Sequence, residues 1–224
     1  MFWRKVGVLV WKDLLLEFRS KQMISSMLIF SFLVIVIFAF AFNPVQRTTQ
    51  EVLPGIIWVA FTFAGVLGLN RAFAVERDND CLLGLMLAPV DRTAIYVAKV
   101  TSNFIFTGLT EIVSFPLFLV FFNYHLQASL GWLVLTIFLG TLGFVAVGTF
   151  LAALASNTRM SEILLPLMVF PVMVPVLIAA VEATSTLMSG GQWQAVASWL
   201  RLLGVYDIIF LAVAYVLFDY CLEV

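Results

Sequence analysis

Few side chains in this sequence could do chemistry, and two acids stand out because long apolar runs surround them. Glu111 lies within the run 100–122, and Asp207 lies within the run 202–221. An ionisable group at membrane depth costs about 3 kcal/mol even on the most lenient insertion scale, and such groups often mark ion or substrate pathways. Two interpretations stay open for each acid: a functional intramembrane group, or a neutral acid that hydrogen-bonds to a neighbouring helix.

Metal and haem chemistry would depend on His125, the only histidine, and on two distant cysteines, Cys81 and Cys221. Haem iron readily takes an axial histidine, which makes His125 a candidate haem ligand. A lone histidine beside a tyrosine at the end of an apolar run is more often an interfacial side chain, so ligation is the weaker alternative. One histidine and two cysteines cannot complete a four-ligand zinc site without several carboxylates. We predict no metal site and no resident cofactor.

The segment Gly143–Thr149 has glycines at the spacing of a phosphate-binding loop, but it lacks the lysine that reaches the phosphates. It also lies inside an apolar run, where Gly148, Ala152 and Ser156 form a ridge of small residues suited to helix contact. We therefore predict that the chain is not an enzyme and has no catalytic residue. Any ATP hydrolysis would belong to a partner subunit.

The elements that carry these residues must be membrane-spanning, because the composition excludes a soluble fold. Of 224 residues, 63% are apolar and only 11% are charged, whereas about 25% are charged in ordinary soluble domains. A soluble domain of this size could not bury so much apolar surface. The net charge of −1 provides no basic surface for nucleic acid. The lipid bilayer is the predicted solvent.

A spanning helix needs about 20 mostly apolar residues. Six runs qualify, and we predict spans at about 23–42, 54–69, 100–122, 130–155, 163–181 and 202–221. The runs are continuous, whereas strands of a membrane barrel would alternate between apolar and polar residues. The predicted fold class is an all-α polytopic membrane protein, a single domain over residues 1–224.

The predicted orientation follows from the lysines and arginines, of which ten lie on one side of the six spans and two on the other. Positive charges collect on the cytoplasmic side, so both termini are predicted to be cytoplasmic, in a multi-pass protein of the bacterial inner membrane. Residues 1–22 place Lys5, Lys12 and Arg19 on one helical face, which predicts an interfacial amphipathic helix. Trp58, Trp132, Trp193 and Trp199 are predicted to lie in an aromatic belt at the outer ends of spans.

The connection 70–99 differs from the others because it is long and rich in charge. Asp78 or Asp80 can cap a short helix, Pro89 ends it, and Asp91 can cap the helix that enters the third span. The apolar side chains of the short helix either rest against the bilayer or enter a groove on a cytoplasmic partner. The residues alone favour neither interpretation.

This connection resembles the cytoplasmic loop of type-2 ABC exporter permeases, in which a coupling helix contacts the ATPase subunit. The positions that match the pattern of that family are Glu76, Arg77, Asp78, Leu82, Pro89, Val90, Arg92 and Lys99, and Leu85 and Met86 lie in its leucine run. The sequence departs from the pattern at Asp80, Cys81 and Leu83. These departures suggest a specialised branch of the superfamily.

A second resemblance names that branch. The fifth run, from Arg159-Met160-Ser161-Glu162 through Pro166, Pro171 and Pro175 to Ile178, is similar to the fifth span of the CcmB family of cytochrome c maturation, as are Trp11-Lys12-Asp13-Leu14 and Tyr206-Asp207. The resemblance implies the permease subunit of an ABC-type complex that exports haem or releases a haem-loaded chaperone. It also implies a CcmA-like ATPase that uses ATP, CcmC- and CcmD-like membrane subunits and a CcmE-like chaperone, with haem as substrate.

The three prolines of the fifth run each remove one helical hydrogen-bond donor. Their spacing predicts a bent or locally unwound helix, which could be a static kink or a moving gate. Two other functions stay open at this point. One is an ABC permease for a lipid, drug or glycan, and the other is an ion-coupled carrier that uses Glu111 and Asp207.

Overall fold

The computed structural model describes residues 2–42, 47–78, 91–124, 129–156, 158, 160–191 and 193–221. Within these ranges the chain forms helices and no strand, which confirms the predicted all-α class. The helices are α1 (Phe2–Ser20), α2 (Gln22–Ala41), α3 (Arg47–Asp78), α4 (Arg92–Phe121), α5 (Leu130–Ser156), α6 (Ser161–Met188) and α7 (Trp193–Cys221).

Helices α2 to α7 are long and apolar enough to cross a membrane, whereas α1 is not. The observed helices extend beyond several of the predicted spans. The second span was expected at 54–69 and to be the shortest, but α3 is a 32-residue helix that contains Pro54. Apolar runs mark only the part of a helix that lipid can cover, so polar residues at either end can continue the helix without a hydropathy signal.

Helix α3 lies at the centre of the bundle and contacts α2, α4, α5 and α6. In the apolar 18-residue window of its segment Glu51–Phe73, 72% of the residues are buried inside the protein, against 28% in the corresponding window of α2. Leu53, Ile57, Phe61 and Leu69 contribute its buried side chains to the main apolar cluster. A helix surrounded in this way has little surface left for lipid, although it is long and apolar enough to cross a membrane.

Helix α5 packs closely because glycines let side chains of other helices reach its backbone. A Cβ atom added at Gly140 would lie 2.3 Å from the Trp58 ring, and one at Gly148 would lie 2.4 Å from Leu69. Ala152, one turn after Gly148, is 3% exposed. The predicted small-residue ridge is therefore a packing surface, and α3 is the helix that it contacts.

Three of the four tryptophans predicted for the aromatic belt fall into two groups. Trp132 and Trp193 are exposed and stack with ring centroids 6.5 Å apart, where α5 and α7 begin, as expected for an aromatic belt. Trp58 is only 3% exposed, and its indole N–H donates to the Thr184 hydroxyl of α6 at 2.9 Å. Its predicted place in the belt is wrong, because α3 is enclosed by other helices and the indole found a protein partner there.

Helices α1 and α2 meet at a tight corner. Lys21 adopts the left-handed conformation with φ of 54°, and the Glu17 carboxylate accepts a 2.8 Å hydrogen bond from the Ile24 N–H in the first turn of α2. Glu17 thus satisfies one of the amide groups that a helix start leaves without an intrahelical partner. The corner fixes the direction in which α1 leaves the first spanning helix.

Candidate functional site

The predicted coupling segment lies largely outside the described residues. This is the case for Leu82, Leu85, Met86, Pro89 and Val90. Glu76, Arg77 and Asp78 belong to the last turns of α3, and their side chains also fall outside the description. The flanks of the segment are described, with Arg92 at the first residue of α4 and Lys99 two turns later.

Lys99 is buried at the flank of this segment and joins three helices. Its Nζ lies 3.0 Å from Oδ2 of Asp13 on α1, and both side chains are less than a tenth exposed. The same Nζ lies 5.8 Å from the centre of the Phe73 ring on α3, a cation–π arrangement. Lys12 also approaches Asp13, at 3.2 Å. The sequence pattern grouped Lys99 with the coupling loop, and the structure adds that Lys99 holds α1 against α4.

Asp91 occupies the N-cap position of α4, but its side chain makes no capping hydrogen bond. The prediction that Asp91 caps this helix is therefore wrong for the side chain. Its Oδ2 lies 3.9 Å from Nζ of Lys5 on α1 instead. The carboxylate of this exposed residue turns towards a cation on the neighbouring helix, which is a weak contact in water.

A cavity of about 150 Å³ lies between α1 and the adjoining ends of α2, α3 and α4. Charged residues of both signs line it, Asp13 and Glu17 from α1 with Arg71 and Lys99 from the spans. The Arg71 guanidinium donates a hydrogen bond to the side-chain oxygen of Gln22. Each of these four side chains thus has a partner within the protein, which for Asp13 and Lys99 is an opposite charge. We call the end that holds α1 the charged end.

Glu111 lies in the interior of the bundle, with 5% of its surface exposed. The Thr141 hydroxyl of α5 lies 2.7 and 2.9 Å from its two carboxyl oxygens. A further contact between the same helices joins the Asn103 amide to the Thr149 hydroxyl at 3.1 Å. The hydrogen bond of Glu111 to a neighbouring helix is the arrangement that the structural interpretation of this residue predicts.

Asp207 is buried as deeply, at 3% exposure, but its surroundings differ. Neither carboxyl oxygen has a hydrogen-bond partner among the residues that the structure describes. A Cβ added at Gly143 of α5 would lie only 2.4 Å from Oδ1 of Asp207, so the carboxyl occupies space that the glycine leaves open. We call this the Gly143 notch. The sequence singled out Asp207, but nothing in it indicated the pairing with Gly143.

Helix α6 runs without interruption through Pro166, Pro171 and Pro175, so the locally unwound form is not observed. Pro171 and Pro175 are exposed, whereas Met173 and Val176 between and beside them are fully buried. These two prolines therefore lie on the outer face of the helix and leave its inner face free to pack. The Tyr206 hydroxyl of α7 donates to the Val172 carbonyl at 2.9 Å, between the last two prolines.

The candidate haem ligand His125 lies outside the described residues. Its neighbour Tyr124 donates a hydrogen bond from its hydroxyl to the Met188 carbonyl at the end of α6. Burial raises the pKa of the Tyr124 phenol above its ordinary value, which already lies well above neutral pH. Across the described part of the chain, no three histidine, cysteine or acidic side chains are grouped as metal ligands.

Comparison with known proteins gives a consistent result. Residues 4–224 match the model of a protein family described as CcmB protein. Three relatives are each named Heme exporter protein B. The one from Rhodobacter capsulatus is 32% identical over 171 residues, covering 76% of this chain and 78% of that protein. The one from Haemophilus influenzae is 33% identical over 172 residues, with coverages of 75% and 76%.

The relative from Escherichia coli (strain K12) is 32% identical over 184 residues, covering 82% of this chain and 81% of that protein. The family match includes the glycine-rich α5 and the proline-containing α6, since it extends over residues 4–224. The predicted resemblance is confirmed: this multi-pass membrane protein belongs to the CcmB family.

Proposed function

We propose that this chain is the membrane permease subunit of an ABC-type complex that exports haem for cytochrome c biogenesis. The observation that carries the proposal is the family match over residues 4–224, together with relatives named for haem export. The six long apolar helices support a transport role. In this complex haem is a substrate rather than a resident cofactor, and ATP is hydrolysed by a partner.

The partner for ATP hydrolysis is a CcmA-like ATPase, which docks on the segment that joins α3 to α4. Support comes from the match of Glu76, Arg77 and Arg92 to the coupling-loop pattern and from contacts at the helix ends that flank this segment. These contacts are the Asp13–Lys99 ion pair and the Phe73 ring beside it, which tie the ends of α3 and α4 to α1. A displacement of the segment by the ATPase would therefore move α1, α3 and α4 together.

The remaining partners in this proposal are CcmC- and CcmD-like membrane subunits and a CcmE-like haem chaperone. The complex either moves haem across the membrane or releases the loaded chaperone. Vesicles that contain the purified complex separate these two activities, since haem movement and chaperone release are measured independently. Haem flux that follows a proton gradient without ATP would instead indicate an ion-coupled carrier. ATP-driven movement of a lipid, drug or glycan in place of haem would indicate a different ABC permease.

Docking of the ATPase is tested with Leu82→Asp, and Glu76→Gln serves as the matched control. A buried leucine contributes roughly 1.5–3 kcal/mol, and about 1.4 kcal/mol corresponds to a tenfold change in affinity. ATPase recovery on purification should fall at least tenfold for Leu82→Asp at equal membrane levels, and much less for the control. Unchanged recovery would mean that this segment does not couple the two subunits.

The proposed location is the bacterial inner membrane, with both termini in the cytoplasm. Ten of the twelve lysines and arginines lie on the side of the termini, which supports this orientation. A membrane-impermeant thiol reagent should label neither Cys81 nor Cys221 in intact cells. A Ser189→Cys variant, at the exposed end of α6, is the positive control and should react. Labelling of Cys221 in intact cells would contradict the proposed topology.

A further inference from the structure

Asp207 is the most unusual polar group in the described part of the molecule. It is 97% buried in the middle of a spanning helix, and neither of its carboxyl oxygens receives a hydrogen bond from a described residue. Serines 31, 102 and 114 also have unbonded hydroxyls, but an unbonded hydroxyl carries no charge. A carboxylate in such a place would be an uncompensated charge, so the acid must bind a cation, and the smallest is a proton.

No described cation faces Asp207 from the helices packed against α7, which are α4, α5 and α6. Helix α5 has no ionisable residue, and the two acids of α6, Glu162 and Glu182, are exposed near its ends. On α4, Glu111 is bonded to Thr141, and Lys99 is paired with Asp13. Arg92 opens that helix at the charged end.

The buried tyrosines of α4 and α7, Tyr96 and Tyr206, use their hydroxyls elsewhere. Tyr96 of α4 donates to the Ala146 carbonyl at 3.0 Å, and Tyr206 donates to the Val172 carbonyl. On α7 itself, Arg201 and Tyr215 are exposed. The described surroundings of the carboxyl therefore offer space, through the Gly143 notch, but no charge and no donor.

We propose that Asp207 is a proton-binding site and that its neutral carboxyl, seated in the Gly143 notch, keeps α7 packed on α5. Loss of the proton would leave a charge in this interface, and the carboxylate could regain hydration only if the two helices separated. The contact is thus a proton-dependent latch between two spanning helices. Since Tyr206 is the adjacent residue and bonds to α6 near Pro171 and Pro175, opening of the latch would also shift the proline-containing helix.

The protonation state is tested by infrared difference spectroscopy of the full-length protein, purified with its partners and reconstituted in lipid. The probe is the proton itself, exchanged for deuterium and varied by pH. Wild type should show the carbonyl band of a protonated carboxylic acid that is missing in Asp207→Asn. Glu111→Gln is the matched control, because it removes the other buried acid described in the interior of the bundle and should leave the Asp207 band in place.

Two results would overturn the proposal. The first is identical spectra for wild type and Asp207→Asn in the region of protonated acids, which would show an ionised carboxylate. The second is a band that neither alkaline pH nor ATP turnover removes reversibly, because a group that never releases its proton is not a binding site. Haem transport is measured on the same samples. Failure of transport with an intact, titrating band would contradict the proposed function and leave the latch supported.

The notch is tested separately by thermal unfolding of Gly143→Ala in two backgrounds. In the wild-type background the added methyl collides with Oδ1 of Asp207, so the Tm should fall. In an Asp207→Ala background the methyl has room, and most of the loss should disappear. An equal loss of Tm in both backgrounds would show that the carboxyl does not occupy the notch.

Discussion

The charged end of the bundle and its interior bury ionisable groups in opposite ways. At the charged end, Lys99 and Asp13 are both nearly enclosed and lie 3.0 Å apart, so each charge meets its opposite. In the interior, Glu111 meets only a threonine hydroxyl, and Asp207 meets a glycine. The difference shows that α1 supplies a side chain of opposite charge at the charged end. Helix α5 accommodates the interior acids differently, with a hydrogen-bond donor for one and open space for the other.

Lys99→Met should have the largest effect, because it leaves Asp13 as a buried charge without its closest partner. Removal of one member of a buried pair costs about 3–5 kcal/mol, and the nearby Lys12 should place the loss towards the lower end of that range. Thermal unfolding in one fixed lipid mixture is the measurement. Lys5→Met is the control at an exposed pair and should change stability by about 0–1 kcal/mol. Equal losses for the two variants would mean that burial gives the Lys99–Asp13 pair no more weight than the exposed Lys5–Asp91 pair.

Gly143→Ala should have the second-largest effect and lower the free energy of unfolding by about 1–3 kcal/mol, as is typical when extra volume enters a packed interior. Gly108→Ala is the matched control on α4, because no atom lies within 4 Å of the position that its Cβ would take. The control should be neutral or slightly stabilising, since alanine is the better helix former. If both variants unfold at the wild-type temperature, the contact between α5 and α7 is looser than described.

Thr141→Val keeps the shape of the side chain and removes the only described donor to Glu111. An unsatisfied buried group costs about 1–3 kcal/mol in water-soluble proteins, but hydrogen bonds between membrane helices average nearer about 0.6 kcal/mol. We expect Thr141→Val to lower the free energy of unfolding by an amount between these two values. Thr101→Val is the control, since its hydroxyl bonds only within its own helix at an exposed position. A loss no larger than that of Thr101→Val would mean that Glu111 does not depend on this hydroxyl.

Asp207→Asn should have the smallest effect on stability, within about 0.5 kcal/mol, which is usual for substitutions that break no specific contact. The amide has the shape of the neutral acid, and the acid has no described hydrogen bond to lose. Unfolding at neutral pH is the measurement. A large loss would mean that the carboxyl is ionised and paired with a cation, as Asp13 is paired with Lys99.

Much of the fold could be predicted from the sequence because hydropathy is a property of each segment by itself. Six apolar runs and one basic, amphipathic segment led to six spanning helices and α1. The ridge at Gly148 was also visible, because small residues one turn apart on an apolar helix predict a contact. The identity of the contacting residue, Leu69, was not visible, since it lies on another helix.

The sites were less predictable, because each depends on residues that lie far apart in the chain. Trp58 bonds to Thr184, 126 positions later, and this contact requires α3 to be enclosed by other helices. Asp91 makes no side-chain capping bond, and its carboxylate lies 3.9 Å from Lys5 of α1 instead. In each case a local pattern assigned one role, and a neighbour brought by packing supplied another.

The sequence by itself therefore determined the class, the number of apolar helices and the family, since these depend on composition, periodicity and motifs along one chain. Only the tertiary structure decided that Lys99 joins α1 to α4 and that Glu111 has a donor. It also decided that Asp207 has space in place of a donor. The physical reason is that the rotation of each helix about its axis is set by close packing against several others at once. A single residue at an interface, such as Gly143, decides what its partner can be.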